Sequence, residues 1–183
     1  MTERDKYIKA WSYEGYRGYS PGEYAISTYI GECNPKRTTI IDFGTGTGRG
    51  ALALYNLGFE VTMVDIADNC LDRKVADKLG RNLVIGNLWE HLDLPRADEG
   101  YCTDVMEHIP PEHVEAVVKN IMGLCKRAFF QICLVEDKFG EVIGEQLHLT
   151  VESFDWWKDL LSRHGAIISC GDMDENGWFY IEA

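Results

Sequence analysis

The run Ile40-Ile41-Asp42-Phe43-Gly44-Thr45-Gly46-Thr47-Gly48-Arg49-Gly50 constrains the fold more tightly than any other stretch. An apolar segment ends on an acid, glycine then takes every second place, and the helix formers Ala51-Leu52-Ala53-Leu54 follow at once. Glycine accepts positive φ and lets a ligand come close to the main chain. A strand, a glycine turn and a helix N-terminus in succession make the cofactor cradle of an open α/β sheet.

The rest of the chain agrees with that class. Strands are expected at Thr38–Phe43, Glu60–Val64, Asn82–Ile85, Glu99–Thr103 and Ala128–Val135. Helices are expected at Gly48–Leu57, Ala67–Leu79 and Pro111–Leu124. Strands alternating with helices of about ten residues or more build βαβ units and a parallel sheet. Ser20-Pro21-Gly22-Glu23 reads as a helix start, with serine as N-cap and proline at N1, for a helix from Pro21 to about Glu32. Near the end, a helix over Val151–His164 precedes Ala166–Cys170 and Trp178–Glu182, joined by a polar, glycine-containing loop. That pair is expected to form an antiparallel hairpin closing one edge of the sheet.

The glycine loop departs from the dinucleotide fingerprint, because Arg49 stands where a third small residue belongs. Nor does a lysine follow the glycines as in a phosphate loop. An acid at position 42 favours a cationic ligand and repels a diphosphate. S-adenosyl-L-methionine carries an ammonium and a sulfonium and no phosphate, so Asp42 beside its ammonium makes a charge-assisted contact.

At this point the chain resembles the class I S-adenosylmethionine-dependent methyltransferases, particularly the small type 11-like ones, from about Thr38 to the C-terminus. The family's first motif is matched by Asp42-Phe43-Gly44-Thr45-Gly46-Thr47-Gly48, and the resemblance implies that this backbone lines the methionine part of the cofactor. Val61-Thr62-Met63-Val64-Asp65-Ile66 is a strand ending in an acid. By resemblance Asp65 accepts from both ribose hydroxyls and Ile66 lies beside the adenine. Gly86-Asn87-Leu88 falls where the family often has Gly-Asp-Ala; Asn87 replaces the acid and keeps an acceptor oxygen for the adenine amino group. Trp89 either stacks on adenine or is a structural tryptophan. Thr103-Asp104-Val105-Met106-Glu107-His108-Ile109-Pro110 matches a "D-V-L-E-H-I" segment and implies Asp104 at the methionine end. The resemblance also implies a Rossmann-like three-layer sandwich on a mostly parallel seven-stranded sheet, order 3-2-1-4-5-7-6, with strand 7 antiparallel.

Residues 1–37 then form an N-terminal extension and 38–183 the cofactor-binding core of one methyltransferase domain. Tyr7, Trp11, Tyr13, Tyr16 and Tyr19 make the extension rich in aromatic rings, and by resemblance its segment Tyr16-Arg17-Gly18-Tyr19-Ser20-Pro21-Gly22-Glu23 serves either as a lid over the cofactor or as packing against the sheet edge. As part of a lid, Arg17 would pair with the cofactor's carboxylate. His108 and His148 are the candidate general bases, with bracing of the loop as the other role for His108. His91, His113 and His164 read as surface or helix-end residues, and Glu107 as a solvated or capping acid or as one that steers an amine substrate. Trp156 and Trp157 follow core periodicity, with one ring free to reach the substrate mouth.

Bulk properties narrow the partners. The net charge is −12, with 18 Lys and Arg among 30 acids and no basic run, which disfavours nucleic acid; the pair Lys36-Arg37 is the one local exception. The six cysteines show no C-x-x-C pair, so no metal site is expected and reduced thiols are. No apolar run approaches a membrane span, and no secretory pattern opens the chain, which points to the cytoplasm. The expected activity is methyl transfer to a small-molecule substrate. A different reaction on the same cofactor, or a non-catalytic binding subunit, is the alternative.

Overall fold

The computed structural model describes residues 1–36 and 38–183, so Arg37 of the Lys36–Arg37 pair lies outside the described residues. Seven strands form one sheet: β1 (Thr39–Phe43), β2 (Glu60–Asp65), β3 (Leu83–Ile85), β4 (Ala97–Thr103), β5 (Cys125–Cys133), β6 (Ala166–Asp172) and β7 (Asn176–Glu182). Their order is β3-β2-β1-β4-β5-β7-β6. The pairs β1–β2, β1–β4, β2–β3 and β4–β5 are parallel, while β7 runs antiparallel to both β5 and β6. Both the order and the reversed seventh strand are those the sequence led us to expect.

Alternation along the strands divides the core between two faces. Ile41, Phe43, Cys102, Phe130 and Phe179 pack on the side of α7 (Val114–Leu124) and α9 (Phe154–Ser162). Ile40, Met63, Tyr101, Phe129 and Tyr180 pack on the other, with α5 (Arg49–Asn56). The described residues also form α1 (Glu3–Trp11), α2 (Glu14–Arg17), α3 (Pro21–Tyr24), α4 (Ile26–Thr28), α6 (Arg73–Leu79) and the short α8 (Gly140–Ile143). No helix among the described residues is long and apolar enough to cross a membrane.

Several boundaries move for physical reasons. The helix expected from Pro21 to Glu32 is broken into α3, α4 and a wide π-helical turn over Tyr29–Cys33, closed by Asn34 at φ 45°. The turn seats Tyr29 in the core, where its hydroxyl and that of Tyr180 both donate to the buried Glu99 carboxylate. Ser20 makes no side-chain cap; its Oγ accepts from Thr47 Oγ1 instead. The helix expected from Ala67 begins only at Arg73, because the carbonyls of Asn69, Cys70 and Leu71 are taken by Arg17. The fifth strand starts at Cys125, directly on the end of α7, and stops at Cys133. A Thr2 capping box with Asp5 starts α1, an element the aromatic composition of this region concealed.

Candidate active site

In this sheet β1 lies between β2 and β4, so the chain connections after β1 and β4 leave in opposite directions and open a crevice at the carboxyl ends. The loop after β1 is tied to the end of β2: Gly44 and Thr45 N–H both donate to Val64 O, at 2.8 and 3.0 Å. Gly44, Gly46 and Gly48 all take positive φ. A Cβ on Gly44 would stand 2.4 Å from Val105, so only glycine lets the loops after β1 and β4 meet. Gly48 serves packing: a Cβ there would strike Val75 and Leu71, on and before α6.

Two buried carboxylates flank this loop. Asp65 accepts from Gly46 N–H through Oδ2 and from Ala67 N–H through Oδ1, both at 2.9 Å. Asp42 accepts from Thr45 Oγ1 at 2.6 Å. Burial raises Asp42 to about 7, against the Thr45 hydrogen bond and with help from the charge of Asp65. Burial likewise raises Asp65 to about 6, although the N–H groups of Ala67 and Gly46 favour its charged form.

Two adjoining cavities open here. One, of about 90 Å³, is lined by Asp65, Ile66, Asn87, Leu88, Trp89 and Val105 among others. The second, of about 220 Å³, runs along Asp42, Thr45, Gly46 and Thr47 to Asp104, His108 and His148. Gly44 and Asp104 line both. Trp11 and Tyr16, with ring centroids 4.6 Å apart, stand at the junction, and a Cβ on Gly46 would meet the Trp11 ring at 3.0 Å. No lysine or arginine among the described residues lines either cavity.

Thus Asp42, Gly44, Thr45, Gly46, Asp65, Ile66, Asn87, Leu88, Asp104, His108 and His148 all line these two cavities. Arg17 and Gly48 do not line the cavities. The Arg17 guanidinium donates to the carbonyls of Trp11, Asn69, Cys70 and Leu71 and to Asp72, which leaves it clamping the loop before α6. Glu107 corrects another expectation: it is 0 % exposed, neither solvated nor capping. Trp89 stacks on His113 at 4.8 Å, a partner that its position in sequence gives no hint of. Trp157 is core and Trp156 partly exposed, and neither ring reaches the cavities. Tyr16, for which the sequence left lid and sheet packing open, lines both cavities, and so does Trp11, whose only signal in the sequence was its place among the aromatic residues 7–19.

Comparison with known proteins places this site in a family. The methyltransferase domain model matches residues 23–173. No curated protein matches in sequence. In structure the chain is similar to the PH0226 protein of Pyrococcus horikoshii OT3, with TM-score 0.71 at 16% identity over 93% of this chain and 98% of that one. It is also similar to magnesium protoporphyrin IX methyltransferase of Synechocystis PCC 6803 with bound SAH: TM-score 0.65, 17% identity, 88% of this chain and 82% of that one. For the N-terminal domain of EvdMO1, crystallised with SAH and D-fucose, the TM-score is 0.65 at 19% identity over 90% and 83% of the two chains. The matched residues run from α3 through β6 and contain the glycine loop, both flanking carboxylates and the segment after β4: the chain belongs to the methyltransferase domain family, on the class I fold.

Proposed function

We propose that the protein transfers a methyl group from S-adenosylmethionine to a small-molecule acceptor. The observation that carries this reading is a crevice with two buried carboxylates, a glycine collar and, among the described residues, no lysine or arginine in its lining. Such a lining rejects a phosphate-bearing nucleotide and favours a ligand that brings its own positive charge.

The residues fit that ligand. Asp65 has lone pairs beyond those used by Gly46 and Ala67, and would take the ribose hydroxyls; Ile66, Asn87 and Leu88 would border the adenine. Asp42 and the glycine backbone would hold the amino-acid end. When bound, the cofactor supplies an electrophilic methyl on a sulfonium whose loss leaves a neutral thioether. The chain's own work is alignment and exclusion of water. Trp11 and Tyr16, on the N-terminal extension, cover the junction of the two cavities and act as its lid. The larger cavity, walled by Tyr16, Tyr19 and Phe139 and bearing Asp137, suits a neutral or cationic small acceptor. Burial lowers His108 to about 4, against the opposing charge of Asp104, which makes it neutral at pH 7 and a weak base. Its neutral form suits bracing or ligation better than proton removal.

Calorimetric titration with S-adenosylhomocysteine tests the binding half. The parent should bind, and Asp65→Ala, still folded, should bind about a hundredfold more weakly. Incubation with methyl-labelled cofactor and a small-metabolite extract tests the transfer half. Labelled product together with S-adenosylhomocysteine is expected; methylthioadenosine instead would mean cofactor cleavage, and equal affinity in parent and variant would refute the placement of the ribose.

A further inference from the structure

The segment after β4 and the segment before α9 are laced together. The Glu107 carbonyl accepts from both Leu149 N–H (2.7 Å) and Thr150 N–H (2.9 Å), and Thr150 Oγ1 donates to Ile109 O (2.7 Å). This lacing carries His148 against His108, with ring centroids 4.7 Å apart and planes at 84°. Each ring has its Nδ1 at a backbone carbonyl: His108 on Leu147 O at 3.0 Å and His148 on Val135 O at 2.7 Å. A carbonyl can only accept, so each Nδ1 carries a proton and each Nε2 is the ring atom left to face a cation. Imidazoles that ligate metals are held in this way, by a second-sphere acceptor that fixes the tautomer.

The third group is Glu107. Its Oε1 accepts from Cys133 N–H at 3.0 Å, while Oε2 is fully buried and has no partner. One ligand atom from each of Glu107, His108 and His148 lies within 4.8 Å of the others. Atoms sharing a cation at about 2.0–2.2 Å stand roughly 3–4 Å apart, so small side-chain rotations close the set. Asp104 and Cys133 form a second such cluster with Glu107. Of these two, Asp104 stands alongside as a further oxygen donor, whereas the Cys133 S–H is engaged with Val135 O.

We propose that Glu107, His108 and His148, with Asp104 alongside, form a site for one divalent first-row cation of the Mn²⁺-to-Zn²⁺ range, open toward the larger cavity. Mixed carboxylate and imidazole ligands select this group over alkali or soft cations. The cation resolves what is otherwise unfavourable: a carboxyl oxygen buried without a hydrogen-bond partner beside a second acid. Resting on the methyl-transfer reading, the open positions bind an acceptor's hydroxyl oxygen. The bound hydroxyl releases its proton to water, its oxygen pair forms the new O–CH₃ bond, and the C–S bonding pair passes to sulfur.

Metal-stripped protein titrated with Co²⁺ should develop a visible ligand-field band that saturates at one equivalent. Folded His148→Ala and Glu107→Gln should each weaken uptake more than about tenfold. In the parent loaded with Mn²⁺, pulsed electron paramagnetic resonance should show coupling to two imidazole nitrogens, a readout independent of whether the variants fold. No Co²⁺ band, uptake unchanged in both variants, or no nitrogen coupling would each overturn the site. Chelation should abolish methyl transfer into the metabolite extract and added Mn²⁺ restore it; full turnover of metal-free protein would overturn the role in holding the acceptor. Co²⁺ uptake by a protein that ignores S-adenosylhomocysteine would remove the methyl-transfer reading and leave the metal site standing. The converse would remove only the site.

Discussion

Affinity for S-adenosylmethionine should rise steeply between pH 5 and pH 7.5, because the cationic ligand requires Asp42 ionised. With its carboxyl raised to about 7 by burial, roughly one per cent of Asp42 is charged at pH 5 in the free protein, and most of it at pH 7.5. Binding at pH 5 must therefore first remove a proton, at about 1.4 kcal/mol for each of two pH units, or about 3 kcal/mol in all. This is roughly a fifty- to hundredfold weaker Kd. Asp65, raised to about 6, adds a smaller increment of the same sign. The ligand's own amino group titrates near 8, so it stays cationic over this range. Calorimetry at pH 6 in two buffers of different ionisation enthalpy should register a proton released on binding, and Asp42→Asn should flatten the profile. The ligand-free protein must behave in the opposite sense. Its folded carboxyls hold protons that the unfolded chain gives up above about 4, so their contribution to stability is full below that pH and is lost as pH rises through about 6 and 7. Its Tm should fall from pH 5 to pH 8, and cofactor should reduce the fall. An affinity that is level from pH 5 to 7.5, or tighter at pH 5, would refute the argument that these acids grip a cation.

Three other outcomes follow from the geometry. Gly48→Ala places a Cβ at φ +73° and 2.7 Å from Val75, away from both cavities. It should cost about 1–2 kcal/mol of strain or more, lowering Tm by roughly 2–8 °C in thermal melts while Kd for S-adenosylhomocysteine stays within twofold. Arg17→Ala removes the donor to four carbonyls and Asp72, so it should lose on the order of 2–4 kcal/mol in denaturant unfolding. Hydrogen exchange should quicken at residues 69–73, and protection equal to the parent's would contradict the clamp. Tyr180→Phe strips two contacts from buried Glu99 and should cost about 1–3 kcal/mol. Its cofactor affinity should be unchanged, since Glu99 stands near the start of β4, at the far end of the sheet from the glycine loop.

Which parts of the site could be read in advance depended on how local their physics is. Asp42, Gly44 and Gly46 are legible because one strand and one turn carry them, and positive φ writes glycine into the sequence. Asp65 is legible because one helix and one strand return the chain beside β1. Asn87, Leu88 and Asp104 follow from strand ends in the same way. Arg17 was misassigned because a guanidinium's partners, here carbonyls more than fifty residues away, leave no trace in its neighbours. The same carbonyls explain the late start of α6. Glu107 was misread because an acid beside His108 looks solvated until β5 and the 147–150 segment close over it.

The sequence alone determined the order of strands and helices, the glycine turn and the acids at the strand ends, since hydrophobic period, φ preference and short spacing are properties of neighbouring residues. Only the tertiary structure decided that Trp11 and Tyr16 wall the crevice, that Arg17 clamps a loop, and that His148 meets His108 beside a buried Glu107. These contacts join segments tens of residues apart. Each is fixed by hydrogen bonds and packing that exist only once the sheet has brought those segments to the same edge.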